Sequence, residues 1–249
     1  MKLKILFSTL GTLLILFIIV PLFRMLFTTD PTELAMTAVE PEVVASILLT
    51  LRASLWATIF AFFLGIPLAF TLARTHFVGK KIIEGLIDIP VIIPHTAAGI
   101  ALLMVWGRHS LFTRLTGISV IGTEAAVSIG MFFVSVPFLV NSAKEAFRLI
   151  DVRFEKTAVS LGASPWQSFR TVSLPMAKKA IISGGIMMWA RGISEFGAVV
   201  VLAYHPMTAP VLIFERFQNF GLKYATPVTV LLILISLLIF ISLRFLEDR

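Results

Sequence analysis

Residues 155–167 read Glu155-Lys156-Thr157-Ala158-Val159-Ser160-Leu161-Gly162-Ala163-Ser164-Pro165-Trp166-Gln167, inside the longest polar interruption of a mostly apolar chain, Asn141 to Lys179. The stretch parses as two short helices joined at a glycine. Asp151 is placed to cap the first, on which Phe154, Ala158 and Leu161 recur at helical spacing, and Gly162 supplies the left-handed residue that ends it. The second has Ser164 at the N-cap and Pro165 at the first helical position. Gln167, three residues after the cap, can reach back to the Ser164 N–H. What flanks this hairpin decides the fold.

The flanks are apolar. The chain is 58% hydrophobic and only 14% charged, with a mean hydropathy of +0.97. That is too much apolar surface for a soluble fold, and the expectation is an all-α integral membrane protein. Zero cysteines exclude disulfides, thiolate nucleophiles and cysteine-based metal sites. The net charge of +7 does not point to nucleic acid, because the positive residues are sorted by side of the membrane.

Six spans are expected within a single domain covering 1–249: about 5–27, 47–73, 86–106, 124–140, 180–204 and 227–245. The first is read as uncleaved, since its apolar run is long for a signal peptide and no small-residue cleavage site follows. Residues 28–46 read as a polar loop, 107–122 as an outer loop, and 141–179 as the long polar loop. Pro210 to Phe220 reads as a short amphipathic surface helix. Fourteen Lys and Arg fall on the side of the N-terminus and the long loop and five on the other, which makes both termini cytoplasmic. Arg52, within the second span, reads as a snorkelling residue near the outer end.

Two spans carry features beyond hydropathy. The third holds Pro90 and Pro94 four apart, followed by His95-Thr96-Ala97-Ala98-Gly99. It reads either as a broken helix turning polar groups toward a protein-lined space, or as a kink satisfied by neighbouring helices. In the fifth, Gly184-Gly185 allows close helix approach, and Arg191 and Glu195 are four apart and can pair. The pair either locks the bundle, or offers positive potential to an anion and re-pairs during gating. Thr96, Ser135 and Ser194 are candidates for lining a pathway. Ser135 and His95 lie in different spans without a nucleophile motif around either, so an intramembrane hydrolase is not indicated.

Glu155, Ala158 three on, Gly162 seven on, and then Leu174-Pro175 resemble the cytoplasmic "EAA" loop of ABC importer permeases, with Thr157 standing where the motif has Ala. An amphipathic linker hairpin is the alternative reading of the loop alone. Asp88-Ile89-Pro90 through Pro94, Thr96 to Leu102, Ala190-Arg191 and Glu195-Phe196-Gly197-Ala198 resemble the permease subunits of molybdate and tungstate importers. Sulfate and thiosulfate permeases are nearly as similar.

The resemblance implies the type I ABC importer permease fold and a cell-membrane location. It also implies a coupling loop that docks an ATPase through Glu155, Ala158, Gly162, Ser164, Pro165, Leu174 and Pro175. Pathway or gating roles fall to Pro90, Pro94, Thr96, Ser135, Arg191, Ser194 and Glu195. The implied partners are a second copy of the chain, two cytoplasmic ABC ATPases and an extracytoplasmic oxyanion-binding protein, with no nucleic acid. The chain has no Gly-x-x-x-x-Gly-Lys-Ser/Thr loop, so ATP and Mg belong to the partner ATPase, and no metal or cofactor is expected in this chain. A secondary transporter or channel is the reading from another class.

Overall fold

The structure is a computed structural model describing residues 2–247, and the regular elements among them are all helical. Arg249, counted in the charge asymmetry, lies outside the described residues. Among the described residues, four helices are long and apolar enough to cross a membrane: α1 (Lys2–Thr28), α3 (Pro41–Arg74), α7 (Glu124–Leu149) and the Leu222–Phe245 part of α13 (Leu222–Glu247). A bent pair, α4 (Lys80–Ile92) with the stretch His95–Thr116 that begins with α5 (His95–Trp106), makes a fifth when counted as one span.

The centre of the bundle is α7, packed between α3 and α10 (Leu174–Ile193). Small residues make this contact close. A Cβ on Gly184 would stand 2.6 Å from Ser142 Cβ, and one on Gly185 would stand 2.5 Å from Phe62 Cζ. The Ser142 hydroxyl donates to the Ala180 carbonyl at 2.7 Å, so the polar atom at the contact is satisfied. We expect Gly184→Leu to destabilise the bundle by about 3 kcal/mol or more through overpacking. Gly85→Ala, where nothing lies within 4 Å, should be neutral in the same thermal unfolding measurement in detergent.

Buried hydroxyls on α3 are satisfied by its own backbone. Thr50, Ser54 and Thr58 donate to the carbonyls of Ser46, Thr50 and Ser54 at 2.6, 2.7 and 2.9 Å. That is how hydroxyls are accommodated where water is absent. In contrast to α3, α1 has no buried residue and meets the rest along α13, where Leu22, Phe23 and Leu26 face Ile233, Leu234 and Leu237.

Several expected boundaries move, each for a physical reason. The stretch 28–46 is not a loop. It forms α2 (Pro31–Ala38), capped by Asp30, and the first turns of α3, because both Asp30-Pro31 and Glu40-Pro41 place proline at the first helical position. Arg216 then gathers Glu40 and Glu42 at 2.6 and 3.3 Å. The outer loop 107–122 contains α6 (Leu111–Thr116), capped by Ser110. The helix expected at 210–220 exists as α12 (Ala209–Phe220), but Leu212 is buried against Val43, Ile47 and Val228 rather than lying free at the surface.

The expected polar loop 141–179 is also shorter. Three polar side chains from Asn141 onward serve contacts between α7 and α4: Asn141 donates to Asp88 at 2.7 Å, and Lys144 and Arg148 both reach Glu84. Helix α7 therefore continues to Leu149. Arg52 is not a free snorkelling side chain either, since its Nε donates to Glu124 at 2.6 Å and the pair is bidentate.

Two expected spans are interrupted. The third breaks at Ile93-Pro94, where Ile93 is extended as a residue before proline prefers, and the flanking segments are bent by 114°. The fifth, expected at 180–204, is two helices, α10 and α11 (Gly197–Leu202), separated by Ser194, Glu195 and Phe196. These two breaks meet each other.

Candidate functional site

The hairpin at residues 151–168 forms as α8 (Val152–Ser160) and α9 (Pro165–Ser168). The Asp151 carboxylate accepts the Arg153 N–H at 2.9 Å, and Gly162 has φ of +97°. Ser164 and Gln167 make the reciprocal box: Ser164 N–H donates to Gln167 Oε1 at 2.7 Å, and Gln167 N–H to Ser164 Oγ at 3.2 Å. A π-helical turn, Phe169–Ser173, joins α9 to α10. Its cause is Pro175, which has no N–H and whose ring displaces the carbonyl four residues back, so the helix widens by one residue ahead of it.

The Glu155 carboxylate is not at the hairpin's free surface. Arg74, at the end of α3, holds it through Nε at 2.9 Å and Nη2 at 2.6 Å, and the Ser173 hydroxyl donates to it at 2.7 Å. The Arg74 Nη2 also donates to the Ile150 carbonyl at 3.2 Å. Phe169 packs edge-on to Phe70 with ring centres 4.8 Å apart, and Phe70 packs edge-on to Phe147 at 5.2 Å. Thus the hairpin is fastened to α3, α7 and α10 by one nearly buried ion pair and an aromatic cluster. Its outer side exposes Leu161 at 83% and Trp166 at 67%, with Phe154 and Val159, among the exposed cations Arg153 and Lys156, and a cavity of about 580 Å³ beside it is lined by Arg74, Glu155, Val159 and Phe169.

The second site is the meeting point of the broken helices. Glu195, 0% exposed, accepts from the Ala198 N–H at 2.8 Å and from Arg191 Nη2 at 2.9 Å. His95, the first residue of α5, brings Nδ1 to 3.0 Å from the same carboxylate and 2.7 Å from Arg191. Close backbone approach makes this possible. A Cβ on Gly197 would lie 2.7 Å from His95 Cβ, and one on Gly99 would lie 2.9 Å from the Ala198 carbonyl oxygen. The carboxylate therefore caps α11, ties it to α10 through Arg191, and ties both to α5.

Of the residues expected to line a pathway, Pro94, Thr96, Arg191, Ser194 and Glu195 lie around this corner, with Thr96 and Ser194 exposed. Pro90 is buried inside α4 and Ser135 is buried with its hydroxyl donating to the Met131 carbonyl, so neither lines an open face of this chain. The sequence alone did not single out Arg74 as the partner of Glu155, nor the part His95 plays. The available signals were an arginine closing the last turn of an apolar helix and a histidine following a helix-breaking proline.

A helical bundle that exposes long apolar helices and keeps a tightly capped hairpin at one end is an integral membrane protein. The chain belongs to the family of binding-protein-dependent transport system inner membrane components, whose model matches residues 61–249. Among its relatives, the molybdate/tungstate transport system permease proteins of Pyrococcus furiosus and Thermococcus kodakarensis are 42% and 39% identical. Each alignment covers 98% of this chain, and 94% and 96% of the relatives. A probable sulfate transport system permease of Chlorokybus atmophyticus is 35% identical over 85% of this chain and 76% of its own length. The fold is that of a chain in the crystal structure of a bacterial ABC transporter importing the acidic polysaccharide alginate: TM-score 0.75 at 15% identity, covering 99% of this chain and 96% of that one.

Proposed function

We infer that the chain is the membrane permease of an ATP-driven importer for molybdate or tungstate. The observation that carries this is the near end-to-end similarity to molybdate/tungstate permeases, which exceeds the similarity to the sulfate permease in both identity and coverage. In this reading α4–α5 form the third span, α10–α11 the fifth and α13 the sixth, with both termini in the cytoplasm. Two copies enclose the path, since a tetrahedral dianion needs more polar surface than one copy offers. An extracytoplasmic binding protein delivers the anion to the outer segments, and two cytoplasmic ATPases supply ATP and Mg.

The mechanism is alternating access. Closure of the ATPases moves α8 and α9, and the Arg74–Glu155–Ser173 link carries that motion into α3 and α10. Selectivity belongs mainly to the binding protein, because a deep site in the permease would stall transport. Residues at the corner of the two broken helices, Arg191, Ser194 and Thr96, are where the path offers the anion positive potential and hydroxyls.

The docking part is tested by co-purification from native membranes. The wild-type chain should bring down a soluble ATPase, and Leu161→Asp combined with Trp166→Asp, which charges the outer apolar side without touching Glu155, should lose it at least tenfold. Equal recovery of the ATPase with both chains would move the docking surface off this hairpin.

A further inference from the structure

An apolar groove runs between α10 and α13. The stretch of α10 from Ile186 to Ile193 forms one wall, the stretch of α13 from Leu232 to Leu243 forms the other, and Leu22 of α1 closes one side, around a cavity of about 380 Å³. The gap is there because α1 rests along α13, through Leu22, Phe23 and Leu26, rather than on α10. None of the residues lining it is charged.

Its chemistry excludes water as the natural filling. The Trp189 indole N–H donates to the Leu51 carbonyl at 3.4 Å, on the far side of α10. The Ser194 hydroxyl already donates to the Arg191 carbonyl at 3.0 Å and accepts from Arg191 Nη1 at 3.2 Å. That leaves the Ser236 hydroxyl, whereas a held water needs two to four polar partners.

Its shape excludes another helix. From Leu232 to Leu243 is eleven residues at 1.5 Å each, so the groove is about 16 Å long, and 380 Å³ spread over that length leaves a cross-section of about 24 Å². A helix about 10 Å across needs ~80 Å². A hydrocarbon chain about 4–5 Å wide, the distance at which carbon atoms touch, fits.

We propose that this groove binds one hydrocarbon chain of a bilayer lipid, lying along α13 and bracing the last turns of α10. With no charged group in the lining, the chain rather than the headgroup is what the site recognises. The position gives the occupant a task. Ile193 is the last residue of α10, and the break that follows it is otherwise held by Arg191 and Glu195. The site depends on the membrane setting alone and is the same whichever anion the chain passes.

The test is photolabelling of the detergent-solubilised full chain with a trace of phospholipid carrying a diazirine on its acyl chain, read by peptide mass spectrometry. Phe17, on the free face of α1 and 78% exposed, reports casual lipid contact. A concave site surrounds its ligand where a free face touches it on one side, so label on residues 186–194 and 232–243 should exceed label around Phe17 at least about fivefold. Ser236→Phe, which fills the groove from α13, and Ala190→Leu, which narrows it from α10, should each remove most of that excess and leave the label around Phe17 unchanged. Groove peptides labelled no more than those around Phe17 in the wild-type chain would overturn the proposal, even if neither variant folds. Excess label that both folded variants retain would overturn it as well, by placing the lipid elsewhere on these helices.

Discussion

Glu195→Leu is expected to cost about 3–5 kcal/mol of stability, enough to prevent recovery of folded protein or to lower its melting temperature in detergent by many degrees. The magnitude follows from what the carboxylate holds. It is fully buried, accepts from Arg191 and from the Ala198 N–H, and has His95 Nδ1 at 3.0 Å, so an isosteric apolar residue takes the carboxylate from a partly buried guanidinium and leaves the Ala198 N–H in the first turn of α11 without its acceptor. Glu195→Gln keeps one carbonyl oxygen for the Ala198 N–H and should fall between the two. A Glu195→Leu protein that melts with wild type would show that the break between α10 and α11 is held by packing alone.

Arg74→Ala is expected to damage transport far more than it damages assembly. Arg74 and Glu155 are 11% and 15% exposed, and breaking a pair that deeply placed costs about 3–5 kcal/mol. That free energy is what fastens the hairpin to the end of α3. Leu161 and Trp166, the proposed docking residues, are 83% and 67% exposed, whereas the Arg74 side chain is only 11% exposed. The variant should therefore still bind the ATPase while uptake per ATP hydrolysed falls at least about tenfold, a change needing only ~1.4 kcal/mol of lost coupling. Lys in place of Arg74 should rescue little, because one ammonium cannot bridge Glu155 and the Ile150 carbonyl as the planar fork does. Unchanged coupling in Arg74→Ala would mean that motion passes through the Phe70–Phe147–Phe169 cluster instead.

Local chemistry was legible in the sequence, and long-range partners were not. The caps at Asp151 and Ser164, the left-handed Gly162 and the box closed by Gln167 all depend on residues within four positions, and all of them form. Close approach at Gly184 and Gly185 was likewise readable from residue size. The partner of Glu155 was not, because Arg74 lies 81 residues away and a helix's last arginine looks the same whether it faces water or a carboxylate. Hydropathy also places spans better than helix ends. Helices α3 and α7 outrun their apolar stretches because Arg216, Glu84 and Asp88 supply partners to the polar residues at those ends.

The break at residues 194–196 is hidden for a similar reason. Gly192 and Gly197 permit a helix to continue as readily as to stop, and Arg191 to Glu195 is a natural pair within a continuous helix. What ends α10 is the Glu195 side chain turning to cap α11 while His95 arrives from a segment 96 residues earlier than Arg191. Ser135, a candidate for lining a pathway, donates its hydroxyl to the Met131 carbonyl on its own helix, a contact that residue type alone does not reveal.

That the chain is the permease of an ATP-driven oxyanion importer is tested most directly by tungstate uptake into proteoliposomes holding the permease with its ATPase, with the binding protein added outside. Uptake that needs all three proteins and ATP, and that a hundredfold excess of sulfate lowers less than an equal excess of molybdate, is the predicted result. Uptake by the permease alone without ATP, or tungstate left outside while sulfate enters, would contradict it.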